Sequence, residues 1–595
     1  MDLKFDIYQK EFIKISISDC RKEILDFFRT SFNKQLKDNS IKIRKDEFLR
    51  KRKDFSLLKA RLGLRFEMSE SFREFIARAP TYNTVKDNTE IDEETILQKL
   101  GREKFSRIPT KNQLKNLRKL CALPAGASFS VPGAGKTTEA LGFYAFHKKS
   151  DKTKLLVISP INAFISWKEE IKKCFSKDLE IQRLRGKAKE VGEILINDPT
   201  HMIINYDALR NPERFNLIKQ LILDNDDLVV VLDESHKIKG KEISKIMHQL
   251  SPLISRKLIL TGTPMPQDVS DLKSQFNFIF PEERVVDADQ LPDKFQPVFV
   301  RTTKGQLDYK YPDIKYKKTF IEPSSAFMTF YDEYLRKKLD QGFSLEDLLE
   351  VRSLKKAVLK LIMFFSRPYS CIDMVYKLDE SLAERIESEG FGAKIDAAIK
   401  SAKDLISQNK KVVIWTSFKK NVEDIAEVFG DQAVFIHGGV NTADQSEEKQ
   451  FAEFDTREKR IDKFKNDPNC MVLVANPAAA SESISLHENC DHAIYVDRTF
   501  NAGQFMQSRD RIHRLIERSK EREKHIEIIM LKLPGSVEQR VHDAIEGKIK
   551  RMAEFLDDPS LKSLGGFSEE VSGDEEEVLM NDITDSELNR VVRNF

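Results

Sequence analysis

"VVVLDESHKIKG", residues 229–240, sets a run of β-branched and leucine side chains directly against two adjacent carboxylates, Asp233 and Glu234. The apolar run reads as a strand buried on both faces, the kind found in parallel sheets. Two like charges at the end of such a strand raise each other's cost of ionisation. Their pairing therefore requires a cation to bind, a proton to move, or both.

Upstream, "SVPGAGKTTEAL" (130–141) supplies a use for the acids. Pro132, Gly133, Ala134 and Gly135 form a turn tight enough to aim backbone N–H groups at phosphates. Lys136 would reach the β- and γ-phosphates, Thr137 would hold Mg²⁺, and Thr138 is the last of the loop residues expected to bind the nucleotide. Ser130 stands where the strict pattern begins with glycine. Asp233 would then bind Mg²⁺ through water, and Glu234 would orient the water that attacks the γ-phosphate. Gln113, in "RIPTKNQLKNLRKL", carries an amide able to pair with both a donor and an acceptor on the adenine edge. ATP and Mg²⁺ are the expected cofactors.

Around these motifs, short apolar runs alternate with helical stretches. One set spans 105–285 ("KLLVISP", "HMIINYDAL", "LVVVLDESH", "KLILTGTP") and a second spans 391–550 ("KVVIWTSF", "AVFIHGG", "CMVLVAN", "HAIYVD", "IEIIMLKL"). The expected fold class is α/β, with two parallel-sheet domains. A helical N-terminal accessory domain (1–104), a linker and helical insertion (286–390) and a mobile acidic tail (551–595) complete the expected organisation. The basic cluster Arg50-Lys51-Arg52-Lys53 reads either as a phosphate contact or as a solvated helix face. "HIEIIMLK" carries Glu527 and Lys532 in the manner of half a nuclease motif, but without an upstream acid it reads as a core strand.

At 595 residues the chain is too long for one core. Its 40% hydrophobic and 33% charged composition is that of a folded, charge-rich protein. A net charge of +3 permits a nucleic-acid partner without requiring one. The six cysteines show no CxxC spacing, so neither a zinc site nor a disulfide framework is indicated. No run approaches the roughly 18 apolar residues of a membrane span, and the charged N-terminus lacks the apolar stretch of a signal peptide. The expectation is a cytoplasmic protein, nucleoid-associated if bacterial, with no membrane partner.

Over about 105–548 the chain resembles the superfamily 2 helicase-like ATPases, and within them the Snf2-like branch, in a divergent form. "LLVISPINAFISWKEEIKK" is similar to the family segment with a strand-ending proline, a tryptophan and an acid, here Pro160, Trp167 and Glu170. "IINYDAL" holds Tyr206, "KLILTGTPMPQDVSDLKSQFNFIFP" holds Thr261 and Thr263, and "KVVIWTSFKKNVEDI" holds Thr416 and Ser417 in matching segments. "FVRTTKGQL" resembles the stretch leading into the insertion. "FMQSRDRIHRLIER" fits Q-x-x-x-R-x-x-R with Gln507, Arg511 and Arg514, the two arginines placed on one helix face. Two departures stand out. Ser481 and Ser483 occupy glycine positions, and Arg514 is followed by Leu515-Ile516-Glu517 in place of the usual ending.

The resemblance implies two RecA-like domains with an ATP cleft between them, the arginines stabilising the γ-phosphate from the second. It also implies a nucleic-acid partner, DNA favoured, gripped or coupled through Pro160, Trp167, Tyr206, Thr261, Thr263, Thr416, Ser417 and Ser483. The expected activity is DNA-stimulated ATP hydrolysis driving translocation on duplex DNA and displacement of bound proteins. A strand-separating helicase and an ATP-gated clamp that recruits an effector, as in antiviral defence, are the alternatives. A protein partner is expected at the N-terminal domain.

Overall fold

The computed structural model describes the chain except for residues 1, 10, 19, 79–80, 86–88, 162, 177, 267–268, 284–286, 308–311, 338–340, 342–353, 441–454, 481–485, 499, 501, 514–524, 534–536 and 557–595. The chain forms two compact units, one ending at Leu307 and one beginning at residue 308, with 266–268 clustering with the second.

The N-terminal segment is not all-helical as expected. It is built on a mixed sheet of β1 (Leu3–Tyr8), β2 (Phe12–Ile17), β3 (Ser40–Arg44) and β4 (Phe66–Met68), in the order β3-β2-β1-β4. Antiparallel pairing joins β1 to β2 and β2 to β3, while β4 runs parallel to β1. The physical signal is period-two alternation. Leu3 and Phe5, Ile13 and Ile15, and Ile41 and Ile43 are buried on one face, with lysines at the intervening positions 4, 14 and 42. Phe48, Phe55 and Phe72 surround the Phe5 ring, with centroids 5.9, 5.6 and 5.2 Å away.

Part of the basic cluster turns inward. Lys51 donates to the Ser31 carbonyl and lies over the Phe32 ring, and Lys53 pairs with Glu283. Beside them, Tyr82 packs against Phe276 and Phe280, 5.5 Å from each ring. Lys53 and Tyr82 fasten the N-terminal segment to the first parallel-sheet domain, while Lys51 packs within the segment itself.

That domain holds β5 (Ala125–Ser128), β6 (Leu155–Ser159), β7 (Gln182–Arg183), β8 (His201–Asn205), β9 (Val229–Asp233), β10 (Arg256–Leu260) and β11 (Phe299–Val300). All pair in parallel, in the order β11-β5-β10-β9-β6-β8-β7. Two boundaries differ from expectation. The helix Glu93–Arg102 places Ile96 and Leu100 in this domain's core, and β11 brings residues 299–300, expected in the linker, into the sheet beside β5.

The second unit contains β12 (Asp313–Phe320), β13 (Val412–Trp415), β14 (Ala433–Ile436), β15 (Val472–Ala475), β16 (His492–Tyr495) and β17 (His525–Lys532). They form a parallel sheet in the order β12-β17-β16-β13-β15-β14. The "HIEIIMLK" run is the buried strand β17, as read from sequence. β12 belongs to this sheet although its position suggested linker. The insertion helices Leu354–Ser366, Ile372–Leu378 and Glu380–Ser388 share a core with Phe418, Val541 and Ile545. The last described helix, Val537–Phe555, runs past residue 550, and the rest of the expected acidic tail lies outside the described residues.

Docking of the N-terminal sheet through Tyr82 is testable. Tyr82→Ala should lower the stability of the protein by about 2 kcal/mol in urea denaturation and raise hydrophobic-dye binding as Phe276 and Phe280 lose their cover. An unchanged midpoint would contradict the docking.

Candidate functional site

Parallel strands aligned in register bring their carboxyl ends to one edge, and ligands of such sheets bind there. In the first domain β5 is followed by the glycine loop, β6 by Pro160, β8 by Tyr206, β9 by Asp233–Glu234 and β10 by Thr261–Pro264. Five loops read from separate stretches of sequence thus converge with the helix Lys111–Leu120 at one edge of one sheet.

Gly133 and Gly135 adopt φ of 85° and 81°, conformations that favour glycine. The helix Lys136–His147 starts immediately afterwards, so its unpaired N–H groups and positive dipole end face the loop. Lys136 Nζ donates to the Ser130 carbonyl at 2.9 Å, holding the ammonium over the loop. Thr137 lies half-buried in the first turn. Pro132 packs where Gly262 leaves room: a Cβ at Gly262 would come within 3.1 Å of the proline ring.

Gln113 is buried beneath this loop. Its Nε2 donates to the carbonyls of Ala134 and Gly135 at 3.3 and 3.4 Å, and its Oε1 accepts the Thr110 N–H at 2.9 Å in a capping box. The amide expected to read the adenine edge here clamps the loop from below. A Cβ on Gly135 would come within 2.1 Å of that amide nitrogen.

Ser130, the departure from glycine, has a structural use. Its hydroxyl accepts the Thr302 N–H at 3.0 Å, beside Ser128 and Asn116 at 3.2 and 3.4 Å. Asn116 and Ser128 each donate to Glu139 at 2.7 Å. Burial pushes the Glu139 carboxyl up to about 7 against those two hydrogen bonds. This polar cluster joins the glycine loop to Thr302, two residues past β11, and sequence reasoning missed it; the serine at 130 was its one visible sign. Glu170, the acid singled out in the Pro160–Trp167 segment, is a second brace, accepting from Thr138 in the loop helix and from Arg107.

Asp233 ends β9 with three donors upon it. Trp167 Nε1 donates to Oδ2 at 2.8 Å, the Glu234 N–H to Oδ1 at 3.0 Å, and the Tyr206 hydroxyl to the Asp233 carbonyl at 2.7 Å. Burial, followed by the Glu234 charge, raises Asp233 to about 6 despite Trp167 and Lys136. Burial beside the same two acids holds the Tyr206 phenol well above its ordinary value, so it remains a donor. Glu234 sits at φ 49°, a left-handed conformation that is strained for a non-glycine residue. Thr261 donates to its carboxylate at 3.3 Å, and His236 Nδ1 lies 3.4 Å from the same oxygen and 2.9 Å from Thr261. Thr263 lies 3.2 Å from Thr261, and Gln275 ties Ser235 to the Pro264 carbonyl. The second acid is thereby laced to the TGTP segment.

The donor chemistry fits a nucleoside triphosphate with Mg²⁺: backbone N–H groups and an ammonium for phosphates, and a hydroxyl (Thr137) and a carboxylate (Asp233) as hard oxygen ligands. Among the described residues no group of three or more His, Cys, Asp or Glu side chains could hold a metal by itself.

The residues expected to contact nucleic acid are placed differently. Pro160, Trp167, Tyr206, Thr261, Thr263, Thr416 and Ser417 are all buried; Ser483 lies outside the described residues. In the second unit the Thr416 hydroxyl and the Ser417 N–H both bond Asp497, at 2.6 and 2.7 Å, and Asn476 holds the Ser417 carbonyl at 2.7 Å. These residues brace loops from inside. Exposed neighbours are Ile161 and Ile165 and Lys420. Gln507 lies in the helix Ala502–Asp510, whereas Arg511 follows its end in a turn, so the expected shared helix face does not extend to it. Arg514 lies outside the described residues.

Comparison with known proteins places names beside this geometry. The SNF2-related domain family matches residues 129–369, and the helicase conserved C-terminal domain family matches 394–516. An uncharacterized ATP-dependent helicase of Mycoplasma pneumoniae is 23% identical over 435 residues, covering 69% of this chain and 38% of that protein. The ISWI chromatin-remodeling complex ATPase ISW1 of Saccharomyces cerevisiae is 22% identical over 459 residues, covering 72% of this chain and 38% of that protein. A solved structure, the Sulfolobus solfataricus SWI2/SNF2 ATPase core in complex with dsDNA, is 18% identical with a TM-score of 0.32, covering 82% of this chain and 97% of that one. The chain thus spans 38% of the length of each of the two curated relatives.

The Gln113 clamp predicts a coupled pair. Gln113→Ala should weaken nucleotide binding several-fold, and Gly135→Ala should weaken it further. Combining them should be less harmful than the sum, because removing the amide relieves the clash while the φ strain of roughly 1 kcal/mol remains. Additive losses in nucleotide titrations would contradict the clamp.

Proposed function

The chain belongs to the Snf2-like ATPases of helicase superfamily 2, an SNF2-related domain followed by a helicase C-terminal domain, and we propose that it hydrolyses ATP to move along duplex DNA and displace proteins bound there. The observation that carries this reading is the convergence of Lys136, Asp233 and Glu234 at the carboxyl edge of one sheet, with Glu234 tied through Thr261 to the TGTP segment.

In this reading the loop N–H groups and Lys136 bind the phosphates, Thr137 and Asp233 present oxygen ligands, and Glu234 orients and deprotonates the attacking water. Mg²⁺, when bound, neutralises the β- and γ-phosphate charge. Loss of the γ-phosphate changes what Glu234 faces, and the Glu234–Thr261–Thr263 chain carries that change to the segment after β10. Gln507, Arg511 and Arg514 of the helicase C-terminal domain complete the reaction by stabilising transition-state charge. DNA is favoured as the track because remodelling ATPases such as the yeast relative act in chromatin-remodeling complexes. Contact would be made by exposed residues in the first turns of helices that follow strand ends, such as Ile165 and Lys420, largely to backbone, so binding should be salt-sensitive and tolerant of sequence. The N-terminal sheet is the proposed seat of a protein partner.

Steady-state ATP hydrolysis by wild type and Glu234→Gln, alone and with duplex DNA, single-stranded DNA or RNA, tests the assignment. Duplex DNA should stimulate wild type most, and the variant should lose at least a hundredfold in kcat while retaining nucleotide affinity. Hydrolysis indifferent to all three polymers would favour a partner-gated clamp. Normal turnover by Glu234→Gln would remove the base assignment.

A further inference from the structure

Trp167 and Tyr206 occupy segments whose family resemblance suggested polymer contact, yet neither is on the surface. Trp167 is 0% exposed and Tyr206 4%, whereas Ile165, two residues from Trp167, is 68% exposed. Both polar tips converge on one residue. The indole N–H of Trp167, from the helix after β6, meets one carboxylate oxygen of Asp233, while the Tyr206 hydroxyl, from the turn after β8, meets its backbone carbonyl. In the sheet β6 lies next to β9 and β8 lies beyond β6, so Tyr206 reaches past a whole strand to make its bond. We propose that Trp167 and Tyr206 are positioning residues for Asp233, Trp167 orienting its metal-binding carboxylate and Tyr206 fixing the backbone that carries it, each from the end of another strand.

The chemistry explains the residue types. A terminal carboxylate torsion is broad and nearly two-fold, while Mg²⁺ demands near-octahedral geometry. A fixed donor on Oδ2 and the Glu234 N–H on Oδ1 select one rotamer and leave lone pairs on both oxygens for a cation or its waters. Indole is a donor only, so it cannot compete for that cation. A purely space-filling role would be met by phenylalanine at either position and would give no reason for both tips to meet the same residue.

The inference rests on the ATPase reading for the identity of the cation, and its test does not depend on turnover. The chain has two tryptophans, and Trp415 Nε1 has no hydrogen-bond partner among the described residues. Trp415→Phe therefore leaves Trp167 as the sole indole without removing a bond. In that protein Trp167 emission should change as Mg²⁺ is titrated with a non-hydrolysable ATP analogue, and Asp233→Asn should abolish the change. In the otherwise wild-type chain, binding of a fluorescent nucleotide is measured against Mg²⁺ concentration. Trp167→Phe should raise the half-saturating Mg²⁺ about tenfold, the usual weight of a hydrogen bond to a charged group. Tyr206→Phe, which deletes one hydroxyl, should raise it several-fold. Duplex-DNA affinity, read by anisotropy, should stay within about twofold in both.

Unchanged Mg²⁺ dependence in both variants would overturn the proposal, and so would a loss of DNA affinity with Mg²⁺ dependence intact. If Trp167→Phe fails to fold, Tyr206→Phe decides alone. A wild type that binds Mg²⁺ and nucleotide without hydrolysing ATP would sink the motor reading and leave this one standing.

Discussion

Parallel register is the constraint on which the site depends. Ser128 on β5 and Asp233 on β9 both pair with Leu260 on β10, so the phosphate loop, the TGTP segment and the acids leave the sheet from one row. Ile158 on β6 pairs with Leu232, and Ser159 with Asn205 on β8, which brings the Trp167 and Tyr206 segments to the same level. A slip of one residue would turn Asp233 to the opposite face of the sheet. Burial of Val229, Val230, Val231 and Leu232 at 0% exposure makes such a slip costly.

On that row sits a dense set of buried polar bonds. Such groups are destabilising unless each is satisfied, and here they are satisfied largely by one another: Gln113 with the loop carbonyls, Asn116 and Ser128 with Glu139, Trp167 with Asp233, Thr261 with Glu234. The arrangement makes the loops rigid relative to the sheet and to each other. In the proposed cycle, a charge change at the phosphates would have few soft coordinates to dissipate into and would pass along the Glu234–Thr261–Thr263 chain.

The sequence made the two parallel-sheet domains legible because their strands are short, apolar and β-branched, and each of the first domain's motifs sits just past a strand end. β11 and β12 escaped notice for opposite reasons: the first is two residues long, and the second, "DIKYKKTF", is mostly exposed and carries no apolar run. The N-terminal sheet was hidden by charge. "LKFDIY", "FIKISI" and "SIKIR" alternate with period two, but lysines between the apolar residues make the stretch read as amphipathic helix. Resemblance singled out Trp167, Tyr206, Thr416 and Ser417 and could not give their direction; only packing shows that they point inward. Gln113 is the same lesson, since its acceptor is spent on a capping box and its amide hydrogens on the loop.

The central claim is that nucleotide state and polymer binding are linked, and linkage is measured most directly as the duplex-DNA dissociation constant of the wild-type protein without nucleotide, with a non-hydrolysable ATP analogue and with ADP, each with Mg²⁺ at fixed salt. The account predicts that the analogue-bound and ADP-bound affinities differ at least fivefold, about 1 kcal/mol of coupling. One affinity in all three states would contradict it, because a site that the polymer cannot sense cannot drive movement along it.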